Sequence, residues 1–313
     1  MILLGGLLAA IAAGCGNSST VAPPDEPDEP VIPVDPGNPF ENATVGTDST
    51  LEVMTWNLEH FAKNATTTTD MVIQAVRGLD VDLIGLQEIS SAFRFQVVVD
   101  SLDGWSGYKA NSAYGDIDLA YLYRDNGALQ IESIQEIMTN LSLALPRSPL
   151  LLLGTYDGTP IAVINNHLKC CGDGYINESY DGDEETRRRD ACLLLEEYVV
   201  DNLSDRRVYI IGDFNDVLTD NMANNVFANF LEKPDVWRAS DMSIAEGSSS
   251  GWSFPGWPSH LDHIIINQPL FEAADGPDAE VHVIPLPSYL PNGWSQYDED
   301  ISDHLPVVLK LKL

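Results

Sequence analysis

Strand-like apolar segments recur through this chain, and many of them end in an acidic, amide or imidazole side chain. The residues at these ends are Asn57, Glu88, His167, Asp213, Asn215, Asp262, Asp303 and His304. Each alone could be a turn residue or a surface polar group. Strand ends of one sheet system, however, converge on one rim. Together these residues predict a single polar site at one end of a sheet structure.

The same pattern indicates an α/β fold. Helix-like segments at residues 70–79, 91–102 and 186–200 lie among the strand-like segments, and no internal repeat is present. Because the strands interleave with few helices, the sheets are expected to be mixed. The 313 residues, 44% of them hydrophobic, are enough for one large domain with a substantial core. We predict one α/β domain over residues 51–313, acting as a monomer.

The chain is strongly acidic, with 48 Asp and Glu residues against 16 Lys and Arg and a net charge of -32. Only seven of the acidic residues precede residue 51, so the predicted domain keeps most of the excess charge. Such a charge opposes long-range attraction to nucleic acid. It fits high solubility or a site where metal ions neutralise the local field.

The N-terminus has the pattern of an export signal. Residues 2–13 are apolar but too few to cross a bilayer as a helix, and the segment ending at Cys15 resembles a bacterial lipobox. We expect residues 1–15 to be a signal peptide and Cys15 to carry a lipid anchor; the alternative is a signal peptide with an incidental cysteine. Residues 16–50, rich in Pro and acidic residues, are expected to form a disordered linker. The domain would be an outer-membrane or cell-surface lipoprotein, or a periplasmic or extracellular protein.

Three further cysteines, Cys170, Cys171 and Cys192, could form a disulfide if the protein is exported. Because an exported protein meets an oxidising compartment, one disulfide is expected, with one thiol left over. The predicted helix at residues 186–200 directs Cys192 toward the sheet, so we expect it to pair with Cys170 or Cys171. The spacing does not decide between them.

Six short motifs occur in order along the predicted domain. They are Thr55-Trp56-Asn57, Leu86-Gln87-Glu88, Asn165-Asn166-His167-Leu168, Gly212-Asp213-Phe214-Asn215, Leu261-Asp262-His263-Ile264 and Ser302-Asp303-His304-Leu305-Pro306. In combination they resemble the endonuclease/exonuclease/phosphatase superfamily, which includes deoxyribonuclease I, exonuclease III, inositol polyphosphate 5-phosphatases and neutral sphingomyelinases. The resemblance implies a four-layer α/β/β/α sandwich of two packed mixed β-sheets, as in deoxyribonuclease I, with a metal-dependent active site at one end.

The resemblance also implies a metal site. Glu88 would be the main Mg²⁺ ligand, with Asn57 as a nearby ligand or phosphate contact and Asp303 helping to position the ion. Carboxylate and amide oxygens suit hard cations, so Mn²⁺ or Ca²⁺ could take the place of Mg²⁺. Such an ion would neutralise the charge that develops on a phosphate during hydrolysis.

The catalytic groups that the resemblance implies are an acid–base set. Asp213 and Asn215 would orient the attacking water and the phosphate. Asp262 would orient His304, and a histidine held by a carboxylate keeps one tautomer and a raised pKa. His167 would donate to a phosphoryl oxygen. Whether Asp213 or His304 is the general base stays open.

Three side chains are candidate phosphate contacts. Arg147 and Tyr114 match positions that contact phosphate in the family. Arg188 shares a helix face with Cys192, Leu195 and Val199, so it would point inward or toward the site rim; the alternative is a surface charge paired with neighbouring acids. The acidic partner of the first histidine, His167, would be Asp116 or Asp118.

These features predict an exported metal-dependent phosphodiester hydrolase (Mg²⁺-dependent phosphodiesterase), with a nuclease as the first hypothesis. A phosphatase or a phospholipid or sphingomyelin phosphodiesterase of the same fold is the alternative, and the acidic composition favours it. A third possibility is a catalytically inactive surface binding protein. The complete set of ligand-type residues argues against that reading.

Overall fold

The computed structural model describes residues 37–113, 117–125 and 127–313, and Gly37–Leu313 form one compact unit. The domain thus begins earlier than the predicted residue 51. Phe40 is fully buried in the core, and the backbone N–H of Val45 donates to the carbonyl of Leu79 (2.9 Å). Residues 37–50, the last part of the predicted linker, are therefore part of the folded domain. The predicted signal peptide, Cys15 and the rest of the linker lie outside the described residues.

Twelve strands follow one another in the part of the chain that the structure describes. They are β1 (Leu51–Phe61), β2 (Leu83–Ile89), β3 (Trp105–Lys109), β4 (Asp118–Arg124), β5 (Leu129–Glu136), β6 (Leu150–Tyr156), β7 (Thr159–His167), β8 (Arg207–Asp213), β9 (Trp237–Ala239), β10 (Asp262–Asn267), β11 (Glu280–Val283) and β12 (Val307–Leu311). The α-helices of the same part are α1 (Ala65–Leu79), α2 (Ala92–Ser101), α3 (Glu184–Asn202), α4 (Ala228–Leu231), α5 (Met242–Ala245), α6 (Phe271–Ala274) and α7 (Gly293–Asp300).

The strands form two six-stranded sheets. The first has the order β11-β12-β1-β2-β4-β3, and the second has the order β5-β6-β7-β8-β10-β9. Each sheet contains one parallel pair, β1 with β2 and β7 with β8, and the remaining pairs are antiparallel. The mixed sheets predicted from the sequence are confirmed.

The two sheets pack face to face, and helices cover their outer faces. Val53 of β1 and Tyr209 of β8 belong to the core between the sheets, whereas the adjacent Met54 and Ile210 point outward to helices. Because successive side chains of a strand point to opposite faces, strands covered on both sides carry continuous apolar runs. The predicted four-layer α/β/β/α sandwich is confirmed. In the described ranges no helix has the length and apolar character needed to cross a membrane.

Buried amides tie the two sheets together just below the rim. Nε2 of Gln87 donates to Oδ1 of Asn165 (2.6 Å), and Nδ2 of Asn165 donates to the carbonyl of Leu86 (3.0 Å). The sheets approach closely here, because a Cβ on Gly85 would lie only 2.6 Å from Cδ1 of Ile211. An unpaired buried amide would cost about 1–3 kcal/mol, so these bonds fix the relative position of the sheets.

Three element boundaries differ from the prediction. Strand β1 continues to Phe61, so Asn57 lies inside the strand, at a shift in its register with β2, and not at its end. Helix α1 begins at Ala65 after Asn64, so Asp70 lies inside the helix and does not cap it. Residues 66–69, before Asp70, are four consecutive threonines. Because threonine has a low intrinsic helix propensity, the sequence does not indicate that the helix begins before them. Strand β12 begins at Val307, so Asp303 and His304 lie in the loop before the strand.

Candidate active site

The polar strand ends meet at one rim that both sheets share. The parallel strands β1 and β2 bring Asn57 and Glu88 to one edge of the first sheet, and β7 and β8 bring His167 and Asp213 to the adjoining edge of the second. Asp262 lies opposite Asp213 in the antiparallel register of β10 with β8. Short contacts between the sheets, described below, show that the structure brings these side chains into one cluster.

His304 lies between two carboxylates. Its Nδ1 is 2.8 Å from Oδ2 of Asp262, and its Nε2 is 3.9 Å from Oδ2 of Asp213. The ring of Phe254 packs against the imidazole with a centroid separation of 4.7 Å. Burial alone would lower the pKa of His304, but attraction to Asp262 and Asp213 outweighs it and raises the pKa to about 10. The ring is an imidazolium held in one orientation.

Asp213 lies at the junction of the sheets. Its Oδ2 accepts a hydrogen bond from Nδ2 of Asn57 (2.9 Å), and its Oδ1 accepts one from the backbone N–H of Asn215 (2.9 Å). Nε2 of His167 is 3.6 Å from the same Oδ2. Burial raises the pKa of Asp213 to about 6, although the charge of His304 acts in the opposite direction. The carboxylate is therefore ionised at neutral pH with a pKa suited to accepting a proton.

Glu88 and Asp303 are the more accessible carboxylates of the rim. Oε1 of Glu88 accepts a hydrogen bond from Nδ2 of Asn57 (3.3 Å), and Oε2 accepts one from the backbone N–H of His60 (3.0 Å). Burial raises the pKa of Asp303 to about 6; the charge of His304 opposes the shift, and repulsion from Glu59 and Glu88 adds to it. Negative charge is thus crowded at this part of the rim.

This part of the rim fits a hard divalent cation. Glu88, Asp303 and Asn57 offer the carboxylate and amide oxygens that such ions prefer. Burial, with added repulsion from Glu59 and Glu88, disfavours the charge on Asp303, and a bound cation relieves this kind of stress. Glu88, Asp303 and Asn57 therefore stay the predicted ligands in a family that typically depends on a divalent metal.

Ligand atoms of Asp213, Asp262 and His304 lie within 4.8 Å of one another in the described chain, as a metal site requires. In that set Nδ1 of His304 and Oδ2 of Asp262 already satisfy each other. Because a metal ligand must present a free nitrogen lone pair, the raised pKa of His304 opposes binding of an ion through this ring.

His167 faces the same carboxylates through Nε2, which lies 3.8 Å from Oε1 of Glu88. Burial, with the charges of Arg147 and His304, holds its pKa well below the ordinary value, so the ring is neutral. Its Nδ1 has no hydrogen-bond partner among the described residues. Asp118, one of its two predicted partners, instead pairs with Lys109 and accepts from the backbone N–H of Ala113 (2.9 Å). The other, Asp116, lies outside the described residues.

Arg147 and Asn215 meet at one carbonyl beside the site. Both side chains donate to the carbonyl of Leu168 at 3.3 Å. Burial lowers the pKa of the Arg147 guanidinium, and the negative charges of Glu88 and Asp213 act in the opposite direction. Arg147 is therefore near enough to the rim to remain a candidate phosphate contact. Tyr114, the second candidate, lies outside the described residues.

Arg188, the third candidate, is buried and engaged in structural contacts. Its Nε donates to Oδ2 of Asp216 (2.8 Å), an Nη atom lies 3.2 Å from Oε1 of Glu185, and the other Nη donates to the carbonyls of Lys169 (2.8 Å) and Cys171 (2.6 Å). The inward helix face was predicted correctly. Arg188 is a structural residue and not the predicted substrate contact, because its guanidinium is buried and these acceptors engage four of its five N–H groups. Arg188 holds the loop after β7 against α3.

The prediction of a disulfide from Cys192 to Cys170 or Cys171 is wrong, because all three residues are free thiols. Cys192 is fully buried in the apolar core between α3 and the second sheet. The guanidinium of Arg188, one turn earlier on the helix, occupies the contact with the loop that carries the other two cysteines. Cys170 and Cys171 contact each other instead.

Sequence reasoning missed the residues that fix the loop of His304. The Ser302 hydroxyl donates to the carbonyl of Asn57 (2.7 Å) and accepts from the backbone N–H of His304 (3.0 Å). The buried Tyr297 hydroxyl donates to the carbonyl of His304 (2.6 Å) and accepts from Nε1 of Trp56 (3.0 Å). Ser302 is adjacent to the Asp-His pair and could have been noticed; Tyr297 carries no such local signal.

A buried cluster of Asp241, His260 and His263 lies directly behind the rim. His263 places Nδ1 2.6 Å from Oδ2 of Asp241 and Nε2 2.9 Å from the carbonyl of Asp216. Because both partners are acceptors, both ring nitrogens carry protons. Nδ1 of His260 accepts from the backbone N–H of Ser253 (3.3 Å), so its proton is on Nε2, which lies 3.0 Å from Asp241. Asp241 and His263 form a buried ion pair, and Oδ1 of Asp241 accepts from the backbone N–H of Ile264 (3.0 Å), so the pair braces the strand of Asp262.

Comparison with known proteins places this fold and site in a defined class. A profile of the endonuclease/exonuclease/phosphatase family matches residues 54–304, which is most of the chain. The chain therefore belongs to the endonuclease/exonuclease/phosphatase family. A search of curated protein sequences finds no match. The family membership supports a hydrolase.

Solved structures share the fold at low sequence identity. TDP2 of D. rerio complexed with a single-strand DNA product has a TM-score of 0.63 and 14% identity, covering 85% of this chain and 100% of that one. The human nocturnin catalytic domain with a bound sulfate anion has a TM-score of 0.57 and 16% identity, covering 85% and 96%. A Bacteroides thetaiotaomicron family protein has a TM-score of 0.56 and 17% identity, covering 85% and 98%. These likenesses establish the fold alone.

Proposed function

We propose that this protein is a Mg²⁺-dependent phosphodiesterase that cleaves nucleic acid. One observation carries the proposal: the imidazolium of His304, fixed by Asp262, faces the carboxylate of Asp213 in the same cluster as Glu88. A site that holds a fixed cationic donor, an ionised base and a cation-binding carboxylate has the parts that phosphodiester hydrolysis requires.

The protonation states assign the roles. Nδ1 of His304 contacts Asp262, Nε2 lies 3.9 Å from Asp213, and both carboxylates raise the pKa of the ring. The ring therefore favours the cation, which is suited to stabilising negative charge on the phosphate and not to taking a proton from water. Asp213 then acts as the general base, with Asn215 and Asn57 holding its carboxylate through hydrogen bonds. The neutral His167, whose Nε2 lies 3.6 Å from Oδ2 of Asp213, would donate to a phosphoryl oxygen.

Glu88, Asp303 and Asn57 would hold the ion. Bound Mg²⁺ would supply Lewis-acid stabilisation of charge on the phosphate. Arg147 would add a second positive contact from the neighbouring loop. Trp257, which is 78% exposed, is a candidate specificity residue because it lies three residues after Phe254, whose ring packs on His304.

Nucleic acid is proposed as the substrate because TDP2, one of the similar folds, is complexed with single-strand DNA, and because Trp257 offers an exposed stacking surface. Trp252 and Trp294, in contrast, serve packing: Nε1 of Trp252 donates to the carbonyl of Ile244 (3.1 Å), and Trp294 stacks on Tyr297. A phosphatase or phospholipid phosphodiesterase is the second candidate, and the net charge of -32 favours it, since it opposes approach of a polyanion.

The substrate assignment is tested by incubating purified protein with plasmid DNA, single-stranded DNA, RNA, sphingomyelin, inositol phosphates and bis-p-nitrophenyl phosphate, each with Mg²⁺ or EDTA. Cleavage of DNA or RNA in Mg²⁺ at low salt supports a nuclease. Hydrolysis restricted to the lipid or inositol substrates moves the assignment to the second candidate. Absence of hydrolysis throughout would favour an inactive binding protein.

We propose further that the protein is an exported lipoprotein anchored through Cys15. The support is the apolar segment at residues 2–13 and the lipobox-like sequence before Cys15. Fractionation of cells that express the wild type and Cys15→Ser tests this proposal. The proposal predicts that the wild type is found in the membrane fraction and that the mature form of the variant is not. An equal distribution of the two proteins between membrane and soluble fractions would contradict it.

A further inference from the structure

Two neighbouring cysteines form a separate reactive group in the loop after β7. Sγ of Cys171 lies 3.1 Å from Sγ of Cys170, and both thiols are free. Cys171 is exposed and Cys170 is half-buried, so reagents in solution can reach the pair. A disulfide bond is about 2.05 Å long, so the two sulfurs need to approach by only about 1 Å to bond.

The surroundings make the two sulfurs chemically unequal. Nζ of Lys169 lies 3.9 Å from Sγ of Cys170 and donates to the carbonyl of the same residue (2.9 Å). An adjacent ammonium stabilises a thiolate, and the thiolate is the nucleophilic form of cysteine. The contact between the sulfurs, in which Cys171 is the donor, raises the pKa of the Cys171 thiol. Cys170 is therefore the attacking sulfur and Cys171 the resolving one.

The loop holds the pair in one arrangement. The carbonyls of Lys169 and Cys171, on either side of Cys170, both accept hydrogen bonds from one Nη atom of Arg188. Arg188 is itself fixed by Asp216 and Glu185. Cys171 has a positive φ of 73°, so the chain turns sharply at the pair. Because the buried guanidinium anchors both flanking carbonyls, little conformational freedom must be lost to bring the sulfurs together.

We propose that Cys170 and Cys171 are a redox site that closes to a vicinal disulfide by exchange with a small-molecule disulfide. The Cys170 thiolate attacks one sulfur of the external disulfide and expels the other as a thiolate. Cys171 then loses its proton and attacks Cys170 in the mixed disulfide, which releases the second external thiol. The two protein thiols are oxidised, the external disulfide is reduced to two thiols, and the two protons end on those thiols.

The site adjoins the candidate active site without depending on its function. Cys170 is three residues after His167, and the intervening carbonyl of Leu168 accepts from both Arg147 and Asn215. Closure of the ring turns the peptide between the two cysteines, whose carbonyl is a contact of Lys169. Oxidation therefore changes a loop that also supports the rim.

The proposal is tested by mass spectrometry, with no need for an activity assay. Full-length protein is reduced, equilibrated with glutathione disulfide, alkylated and digested with trypsin. Cleavage after Lys169 and Arg187 releases one peptide with Cys170 and Cys171, while Cys192 falls in another peptide. The proposal predicts that the first peptide loses two hydrogen atoms and resists alkylation, and that Cys192 remains a free thiol.

Matched variants sharpen the result. Cys192→Ser should keep the loss of two hydrogens, whereas Cys170→Ser and Cys171→Ser should abolish it, and Cys171→Ser should retain one glutathione on Cys170. Lys169→Met should slow closure several-fold, since the thiolate loses its ammonium. Two free thiols, two bound glutathiones, or a link from either cysteine to Cys192 or Cys15 would each overturn the proposal.

Discussion

His304 is held by Asp262 through a 2.8 Å contact between Nδ1 and Oδ2, and both groups are buried. The pair lies where the loop before β12 meets the first residue of β10. Its orientation therefore depends on both sheets, and the chemistry of the rim depends on its charge.

We expect Asp262→Asn to lower kcat for bis-p-nitrophenyl phosphate about 10- to 100-fold or more, with a smaller effect on KM. The amide keeps the shape but removes the charge that orients the ring and holds its proton. Glu280→Gln is the matched control, because Glu280 also pairs with a histidine, His282, at 2.8 Å but on the surface. Equal activities of the two variants would remove Asp262 from the mechanism.

The buried ion pair behind the rim predicts a stability effect. Asp241→Asn leaves the imidazolium of His263 without its counter-charge, and breaking such a pair costs about 3–5 kcal/mol. Urea unfolding should report this loss in the free energy of unfolding. The double variant Asp241→Asn with His263→Gln should recover part of it, because the uncompensated charge is gone. Additive losses would contradict the ion-pair assignment.

Glu52 predicts a pH dependence of stability. Burial raises the pKa of its carboxyl from 4.5 to about 8, with Thr50 opposing the shift and Asp82 adding to it. The folded chain therefore keeps a proton that the unfolded chain loses, so this contribution is complete below about pH 4.5 and is lost as the pH rises to about 8.

Thermal unfolding of wild type and Glu52→Gln across this range isolates the effect from other titrating groups. We expect the difference between the Tm of the variant and that of the wild type to shift in favour of the variant as the pH rises, because glutamine has no proton to lose. A difference in Tm that does not change with pH would show that Glu52 titrates normally in the folded protein.

Trp257 tests the choice of nucleic acid. If its ring stacks on a base, Trp257→Ala should raise KM for single-stranded DNA by a factor corresponding to about 1–3 kcal/mol. Cleavage of bis-p-nitrophenyl phosphate, which has no base, should be unchanged. Phe93→Ala is the control, since Phe93 is similarly exposed at 72% on α2. Equal effects of both substitutions on DNA cleavage would argue against stacking.

Much of this architecture could be predicted from the sequence because the signals are local. The polar residues in β1 and at the ends of β2, β7 and β8 follow apolar runs directly, and the order of the motifs indicated the family. The strands that were not predicted, β3, β9 and β11, lack a strong apolar pattern: β3 and β11 are short and only partly buried, and β9 has three residues with an arginine in the middle. Pairing with longer neighbours forms them, and that information is not local.

Contacts between distant residues explain the errors at the site. The inward helix face of Arg188 and Cys192 was predictable from the helical period, but the partners were not. Asp216 lies 28 residues from Arg188 and takes the guanidinium that was expected to contact substrate. Cys192 is fully buried in the apolar core, and the helical period indicates which way it faces but not which residues it contacts. Only the packed structure shows which groups fill those positions.

The central claim is that Glu88 holds a divalent cation needed for phosphodiester cleavage. The most direct measurement is the rate of bis-p-nitrophenyl phosphate hydrolysis as a function of Mg²⁺ concentration in the wild type, Glu88→Gln and the surface control Glu178→Gln. We predict saturable Mg²⁺ dependence in the wild type and the control, no activity in EDTA, and a rate reduced at least about tenfold in Glu88→Gln. Wild-type activity that persists in EDTA, or a Glu88→Gln curve that matches the control, would contradict the account.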